Sequence, residues 1–172
     1  MTHTALFALI QQEITKMRQE VDLLTQACAC PAHPIQNTTA FWEEIQWIAV
    51  ASLTEKLYMG WEHIMKRIAV DVDDYLPGGE SSHRDLVEQM GMAVGKRPAV
   101  FAPATIARLH ALRAFRHRER NLYSAAIRKQ RVREIAAQAL ALWTEGQRDL
   151  EAWECAMEAP GESPSSTMGS PG

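Results

Sequence analysis

Apolar residues recur at spacings of three and four along most of the 172-residue chain, and no segment shows the alternation that is typical of a strand. This period indicates helices that bury one face. The first stripe has six members: Leu6, Ile10, Ile14, Met17, Val21 and Leu24. It predicts a helix over residues 4–27, which Pro31 and Pro34 bring to an end.

A second, longer helix is predicted to follow the cap signal of residues 37–39 and to run towards Tyr75. The Leu-Pro-Gly-Gly sequence of residues 76–79 is a strong turn signal that stops it. At about 1.5 Å per residue such a helix would be over about 50 Å long, so we expect a bend near Gly60.

Three further helices are predicted in the rest of the chain. Ser82 caps a short one that ends near Met90, and a loop with two glycines and two prolines fills residues 91–103. A fourth helix is predicted over residues 104–127 and a fifth over residues 129–157. The apolar stripe of the fifth helix consists of Val132, Ile135, Leu140, Leu142 and Trp143.

The last residues, 158–172, are rich in Pro, Gly and Ser. They carry too little apolar surface to offset the entropy lost on ordering, which predicts a disordered tail. The chain is therefore predicted to form one all-α domain over residues 1–157, a bundle of four main helices and one short helix.

Charge is distributed unevenly along the chain. Residues 105–133 hold nine Lys or Arg residues and one acid, Glu119, whereas the whole chain has a net charge of −3. A mildly acidic protein thus places half of its cationic side chains in one segment. Such a concentration indicates an anionic partner, and RNA is the first candidate.

Several other classes of site are not supported by the sequence. Cys28, Cys30 and Cys155 are odd in number and lack zinc-like spacing, which predicts free thiols in a reducing cytoplasm. His63 and His83 lie on different predicted helices without carboxylates at metal spacing, so no metal or cofactor is expected. No signal-peptide pattern, membrane-length apolar run or phosphate-cradling glycine loop is visible, so we expect a soluble cytoplasmic protein that does not hydrolyse ATP.

The fourth predicted helix collects its basic residues on one face. Arg113, Arg116 or His117, and Arg120 follow one another at spacings of three and four, and Tyr123 continues that face. Guanidinium groups can clamp phosphate oxygens. Because the flanking arginines disfavour a further positive charge, His117 is expected to be neutral and competent as a general base. The opposite face is apolar and consists of Ile106, Leu109, Leu112 and Phe115.

A simpler interpretation is that these arginines are structural. Semi-buried pairs of arginine and carboxylate are common in helical bundles. Four acids on neighbouring elements are candidate partners: Glu62, Asp71, Asp73 and Glu80. Tyr123 can likewise be a core tyrosine whose hydroxyl is satisfied. The residues alone leave both interpretations open.

The fragment LRAFRHRERNLY, residues 112–123, resembles the signature of HepT-like ribonuclease toxins of the HEPN superfamily. That signature has an arginine, a polar residue, several intervening positions, and then a histidine, one residue and a tyrosine. Residues 57–90 and the KRPAVF of residues 96–101 resemble the same subgroup, with a long helix, a Pro-Gly turn and a short helix that bears a histidine. The resemblance covers residues 40–145.

The resemblance implies a role for each matching position. Arg116 corresponds to the motif arginine, His117 to the polar residue after it, and Tyr123 to the motif tyrosine. Asn121 stands where the family carries its catalytic histidine. Since asparagine cannot exchange a proton near pH 7, either His117 supplies the proton chemistry or the protein binds without cutting. Glu62 and Arg67 on the second helix are candidate supporting partners of the motif.

The resemblance also implies an activity and partners. It implies a metal-independent endoribonuclease in which a 2′-hydroxyl attacks the adjacent phosphate, with Arg116 on that phosphate and Arg113 and Arg120 binding RNA. A homodimer is expected to complete the site, and a nucleotidyltransferase antitoxin is expected to add AMP to Tyr123. The alternatives are a non-catalytic HEPN module that binds RNA, nucleotide or a nucleotidyltransferase, and a purely structural helical domain.

Overall fold

The computed structural model describes residues 3–29, 39–119 and 129–158 of the chain. These residues form five helices: α1 (His3–Ala29), α2 (Thr39–Asp71), α3 (Ser82–Met90), α4 (Pro103–Glu119) and α5 (Lys129–Glu158). Within the described ranges the β-structure is limited to one isolated bridge between Val94 and Arg97. The prediction of an all-α fold with four main helices and one short helix is confirmed.

The end of α2 differs from its prediction, because α2 ends at Asp71 and not near Tyr75. Asp74 has a φ of 51°, a left-handed conformation that a continuing α-helix does not tolerate. Tyr75 N donates to Ala69 O at 3.0 Å, so the chain leaves the helix in a closed turn. The predicted end of the fourth helix, at residues 120–127, lies outside the described residues. Of the predicted tail, residues 158–172, Glu158 belongs to α5 and the rest lies outside the described residues.

Two buried glycines lie where a side chain of another helix comes close. α2 runs unbroken through Gly60, where an added Cβ would lie 2.5 Å from Met17 Sδ of α1. At Gly146 of α5 an added Cβ would lie 2.5 Å from Trp61 Cη2 of α2. A side chain at Gly146 would collide with the rigid indole, whereas at Gly60 it would collide with the flexible Met17 side chain, which would have to move.

The core lies where α1, α2, α4 and α5 meet. All six residues of the predicted α1 stripe are buried. In α5 the predicted Val132, Ile135 and Leu142 are buried, and Leu140 and Trp143 are partly buried against them. The hydrophobic pattern therefore identifies the buried faces of both helices correctly.

The start of α4 is fixed by a residue of α5. α4 begins at Pro103, which suits a first helical turn because that turn needs no backbone N–H from it. The Asp149 carboxylate accepts hydrogen bonds from Ala102 N at 2.9 Å and from Thr105 Oγ1 at 2.6 Å. This cap joins the two helices at the end of the bundle from which α4 begins.

A buried ion pair fixes α3 and the loop after it against the end of α2. Arg97 Nε lies 2.5 Å from Asp73 Oδ1, and the two side chains are 1% and 0% exposed. Gln89 of α3 donates to the same carboxylate at 2.7 Å. Asp73 is one of the acids that could pair with the arginines of α4 if those arginines are structural. It pairs instead with Arg97 of the loop.

Arg97→Ala is expected to lower the free energy of unfolding by about 3–5 kcal/mol, because it leaves the Asp73 carboxylate buried without its cation. Urea denaturation followed by circular dichroism measures the change. Arg84→Ala is the matched control, since Arg84 forms exposed pairs with Asp85 and Glu88 whose loss is expected to change stability by less than about 1 kcal/mol. Equal effects of the two substitutions would contradict the assignment.

Candidate functional site

α4 has an apolar side and a basic side, as its sequence predicts. Leu109, Leu112 and Phe115 are buried in the core. Arg113 and Arg116 lie at the border between this core and the surface, and both are only partly exposed. The basic side of α4 is therefore set against neighbouring helices and not fully in solvent.

Two glutamates of α2 contact Arg116. Its Nη1 donates to Glu62 Oε2 at 2.5 Å, and its Nε lies 3.6 Å from Glu55 Oε1. The guanidinium carbon lies 5.8 Å from the centre of the Tyr58 ring. The pairing of a motif arginine with Glu62, which the structural interpretation predicts, is confirmed.

The Glu62 carboxylate joins side chains from three helices, although Glu62 is only 3% exposed. Its Oε1 accepts a hydrogen bond from Lys66 Nζ at 2.5 Å and lies 3.3 Å from His83 Nδ1 of α3. Its Oε2 accepts from Arg116 of α4. A carboxylate at this depth needs such partners, because an unpaired buried charge is strongly unfavourable.

These neighbours keep Glu62 ionised. Burial acts to raise the pKa of Glu62, but the hydrogen bond and charge of Lys66, followed by the charges of Arg116 and His83, hold that pKa below its ordinary value. The carboxylate is therefore an acceptor at both oxygens at neutral pH. Lys66 and His83 are 41% and 48% exposed, so both can be reached from solvent.

Tyr58 forms the buried wall behind Arg116. Its side chain is fully buried, and its hydroxyl has no hydrogen-bond partner within the described part of the chain. Burial and then the negative charge of Glu62 raise the pKa of Tyr58, against the opposing effect of Arg113 and Arg116. The phenol therefore stays neutral, and its ring lies within the distance at which a guanidinium interacts with an aromatic face.

Arg113 lies one turn before Arg116 and has a buried donor without a partner among the described residues. Its Nε makes no hydrogen bond with any residue that the structure describes. Burial, followed by the charge of Arg113, lowers the pKa of the nearby His110, and the opposing effect of Glu88 is smaller. His110 is therefore uncharged at neutral pH, and the positive charge of this part of α4 comes from its arginines.

The predicted site residues are only partly covered by the structure. It places Arg113 and Arg116 in full, and it places His117 in α4 but does not describe its side chain. Three of the predicted site residues lie outside the described residues: Arg120, Asn121 and Tyr123.

Sequence reasoning names Glu62 but misses three of the residues around it. Lys66 follows Glu62 by four positions and Glu55 precedes it by seven. The helical period could therefore have placed Glu55, Glu62 and Lys66 on one face of α2. His83 comes from α3, and its contact with Glu62 depends on the path of the chain after α2. No spacing in the sequence predicts that contact.

Within the described ranges, no group of three or more His, Cys, Asp and Glu residues is arranged to hold a metal ion. None of the five described helices is long and apolar enough to cross a membrane. Cys28 and Cys155 are free and exposed, in agreement with the prediction of free thiols, and Cys30 lies outside the described residues.

Glu62→Gln is expected to lower the free energy of unfolding at pH 7 by about 2 kcal/mol, because three neighbours lose their charged acceptor. The folded-state pKa of Glu62 is depressed. The contribution of the ionised Glu62 carboxylate to the free energy of unfolding is therefore present above the unfolded-state pKa of about 4.3. It is lost as the pH falls through the folded-state pKa. Urea denaturation at a series of pH values should show a deficit that shrinks below about pH 4.

The matched control for this experiment is Glu134→Gln. Glu134 forms an exposed pair with Arg131 at 3.6 Å, and its loss should change stability by less than about 0.5 kcal/mol. A Glu62→Gln deficit that stays constant as the medium is acidified would contradict the account of Glu62 as an ionised, paired carboxylate.

Comparison with known proteins places this bundle in a family. The model of the HepT-like protein family matches residues 49–157, more than half of the chain, from within α2 to the last turn of α5. The matched range contains Glu55, Glu62, His83 and Arg116. No curated protein and no solved structure matches the chain. The chain belongs to the HepT-like family.

Proposed function

We propose that this protein is the toxin of a toxin–antitoxin pair and cleaves RNA without a metal ion, by attack of a ribose 2′-hydroxyl on the adjacent phosphate. The observation that carries the proposal is the setting of Arg116. The residue that matches the motif arginine of the family shares the Glu62 carboxylate with Lys66 and His83, both of which reach solvent. Membership of the HepT-like family supports RNA as the substrate.

Arg116 is expected to bind the scissile phosphate. A guanidinium carries five N–H donors, of which Nη1 donates to Glu62 and Nε is buried 3.6 Å from Glu55 Oε1, so the remaining donors, those on Nη1 and Nη2, are the ones available to a phosphate. The Lys66 ammonium lies on the same carboxylate and adds a second cation. Two cations held side by side suit the oxygens of one phosphate group.

The remaining roles follow from the family motif. His117 and Asn121 are expected to address the ribose, and Arg113 and Arg120 are expected to contact neighbouring phosphates. Tyr123 is the expected AMP acceptor for a nucleotidyltransferase antitoxin. An AMP group on that tyrosine would place negative charge among the arginines and exclude the RNA phosphate.

A second function, in which the protein binds RNA, nucleotide or a nucleotidyltransferase without cleavage, is favoured by two observations. Asn121 replaces the family histidine and cannot transfer a proton. Glu62 and Glu55 offset the charge of Arg116, which weakens its attraction for a distant anion.

The proposed homodimer is supported by an apolar stripe on the solvent side of α2. Phe41, Ile45, Ile48 and Met59 are 60%, 41%, 46% and 37% exposed, and their spacing lets one helix pack along another. Glu55 belongs to the same side of α2 and lies 3.6 Å from Arg116 Nε. A second copy bound to the stripe would therefore lie beside the motif arginine.

Charge favours an antiparallel arrangement of the two copies. A parallel arrangement would place Glu55 of one copy against Glu55 of the other, and like charges repel. An antiparallel arrangement with its two-fold axis near the middle of the stripe brings Phe41 opposite Met59. It also brings Trp42 towards Lys56, and an indole face attracts an ammonium group.

Wild-type protein is expected to degrade labelled RNA in EDTA, and Arg116→Ala is expected to lower the rate by about 100-fold or more, because the charge that stabilises the reacting phosphate is lost. Gel electrophoresis of the products measures the rate. Arg108→Ala should keep the wild-type rate, since Arg108 lies on the same helix but pairs with Glu145 at 2.8 Å.

The same experiment separates the two functions. RNA that stays intact at a high concentration of the wild-type protein would rule out the ribonuclease function. Retention of RNA that weakens with salt, without cleavage, would then favour the binding module.

Ile48→Glu is expected to convert a dimer into a monomer, because two buried carboxylates would oppose packing of the stripe. Size-exclusion chromatography with light scattering measures the mass. Leu23→Glu is the control, since Leu23 of α1 is 49% exposed but lies off the stripe. A monomeric wild-type protein, or a dimeric Ile48→Glu variant, would contradict the proposed interface.

A further inference from the structure

The position at which the family carries its catalytic histidine supplies no proton acceptor in this chain. Asn121 occupies the position of the catalytic histidine, and an amide cannot take a proton from a ribose hydroxyl near neutral pH. An imidazole is the side chain best suited to that task. His117 is one such imidazole, and a described histidine that is linked to Arg116 is a second.

The described histidines differ in what they contact. His83 Nδ1 lies 3.3 Å from Glu62 Oε1, and the other oxygen of that carboxylate accepts the hydrogen bond from Arg116. His63 Nδ1 makes a contact of the same length with Glu13, on the α1 side of α2. One carboxylate therefore links a single described histidine to the motif arginine, and that histidine is His83.

The contact with Glu62 favours one tautomer of the ring. Glu62 is ionised and can only accept hydrogen bonds, so the hydrogen of a neutral His83 ring belongs on Nδ1, the nitrogen that faces it. The lone pair is then on Nε2, the nitrogen that can receive a proton. A carboxylate that favours this tautomer is the usual means of making a histidine a base.

The exposure of the side chains around Glu62 also favours His83. Its side chain is 48% exposed and that of Lys66 is 41% exposed, whereas Arg116 behind them is 14% exposed. An RNA backbone that approaches from solvent therefore meets the imidazole and the ammonium next to the guanidinium. This arrangement lets a ribose 2′-hydroxyl contact His83 while the adjacent phosphate lies between Lys66 and Arg116.

We propose that His83 is the catalytic base of this protein and that Glu62 is the residue that positions both His83 and Arg116; this inference rests on the proposed ribonuclease function. Nε2 of His83 takes the proton of the 2′-hydroxyl while the 2′-oxygen forms a bond to phosphorus. The bond from phosphorus to the 5′-oxygen breaks, which leaves a 2′,3′-cyclic phosphate. The 5′-oxygen takes a proton from water, and the imidazolium returns its proton to solvent.

The test is chemical rescue of His83→Ala by imidazole. The substitution is expected to lower the cleavage rate by about 100-fold or more, the usual contribution of a general base. Binding of a non-cleavable RNA with a 2′-deoxy linkage should be unchanged. Added imidazole should restore cleavage in proportion to its concentration, because the site is open to solvent. His83→Gln, which keeps a donor for Glu62, should be equally inactive.

The matched control is His63→Ala. Nδ1 of His63 lies as far from a glutamate oxygen as Nδ1 of His83 does, and the His63 side chain is 55% exposed. The two variants therefore each remove a half-exposed histidine that contacts a glutamate. His63→Ala should cleave at the wild-type rate. Imidazole should also fail to restore Arg116→Ala, which lacks the phosphate contact and not the base.

The outcomes separate this inference from the proposed function. Cleavage by the wild-type protein and by His83→Ala at equal rates would overturn the role of His83 and leave the ribonuclease intact. A loss in His83→Ala that imidazole does not restore would also overturn it. Intact RNA with the wild-type protein would instead remove the proposed function itself.

Discussion

The packing of Trp61 against Gly146 fixes the register of α2 against α5, because a Cβ at position 146 would come within 2.5 Å of the indole. The same indole meets the ring of Phe101 edge-on, with 5.9 Å between centroids, at the entrance to α4. One buried side chain thus sets the positions of α5 and α4 relative to α2. Since Glu62 is the next residue of α2, this packing also decides where its carboxylate lies.

A carboxylate in that position must be paired, and this requirement ties the stability of the bundle to its candidate site. Arg116 from α4 and His83 from α3 both reach Glu62, so the carboxylate connects elements that are far apart in sequence. α3 itself is held by the buried pair of Arg97 and Asp73. The structural and functional interpretations of Arg116 are therefore compatible, since a guanidinium in a fixed ion pair still has donors for a phosphate.

Most of the fold follows from the period of the hydrophobic residues. That period predicts the helices and the buried faces of α1, α4 and α5, because a helix that buries one face must repeat its apolar residues at that spacing. It fails at the end of α2, where Asp74 adopts a left-handed conformation that propensity does not reveal. It also does not reveal that Gly60 makes room for the side chain of Met17 of α1. Both features depend on the packed chain.

The sequence by itself determined the helices, the basic face of α4 and the resemblance to the HepT-like family, because these reside in spacing and residue type along one segment. It also offered Glu62 as a partner of Arg116, although as one of several acids. Only the tertiary structure selected that pairing and added Lys66 and His83 to it. Which acid pairs with Arg116 depends on the register between helices. Close packing around buried glycines sets that register, and the pattern within a single helix does not reveal it.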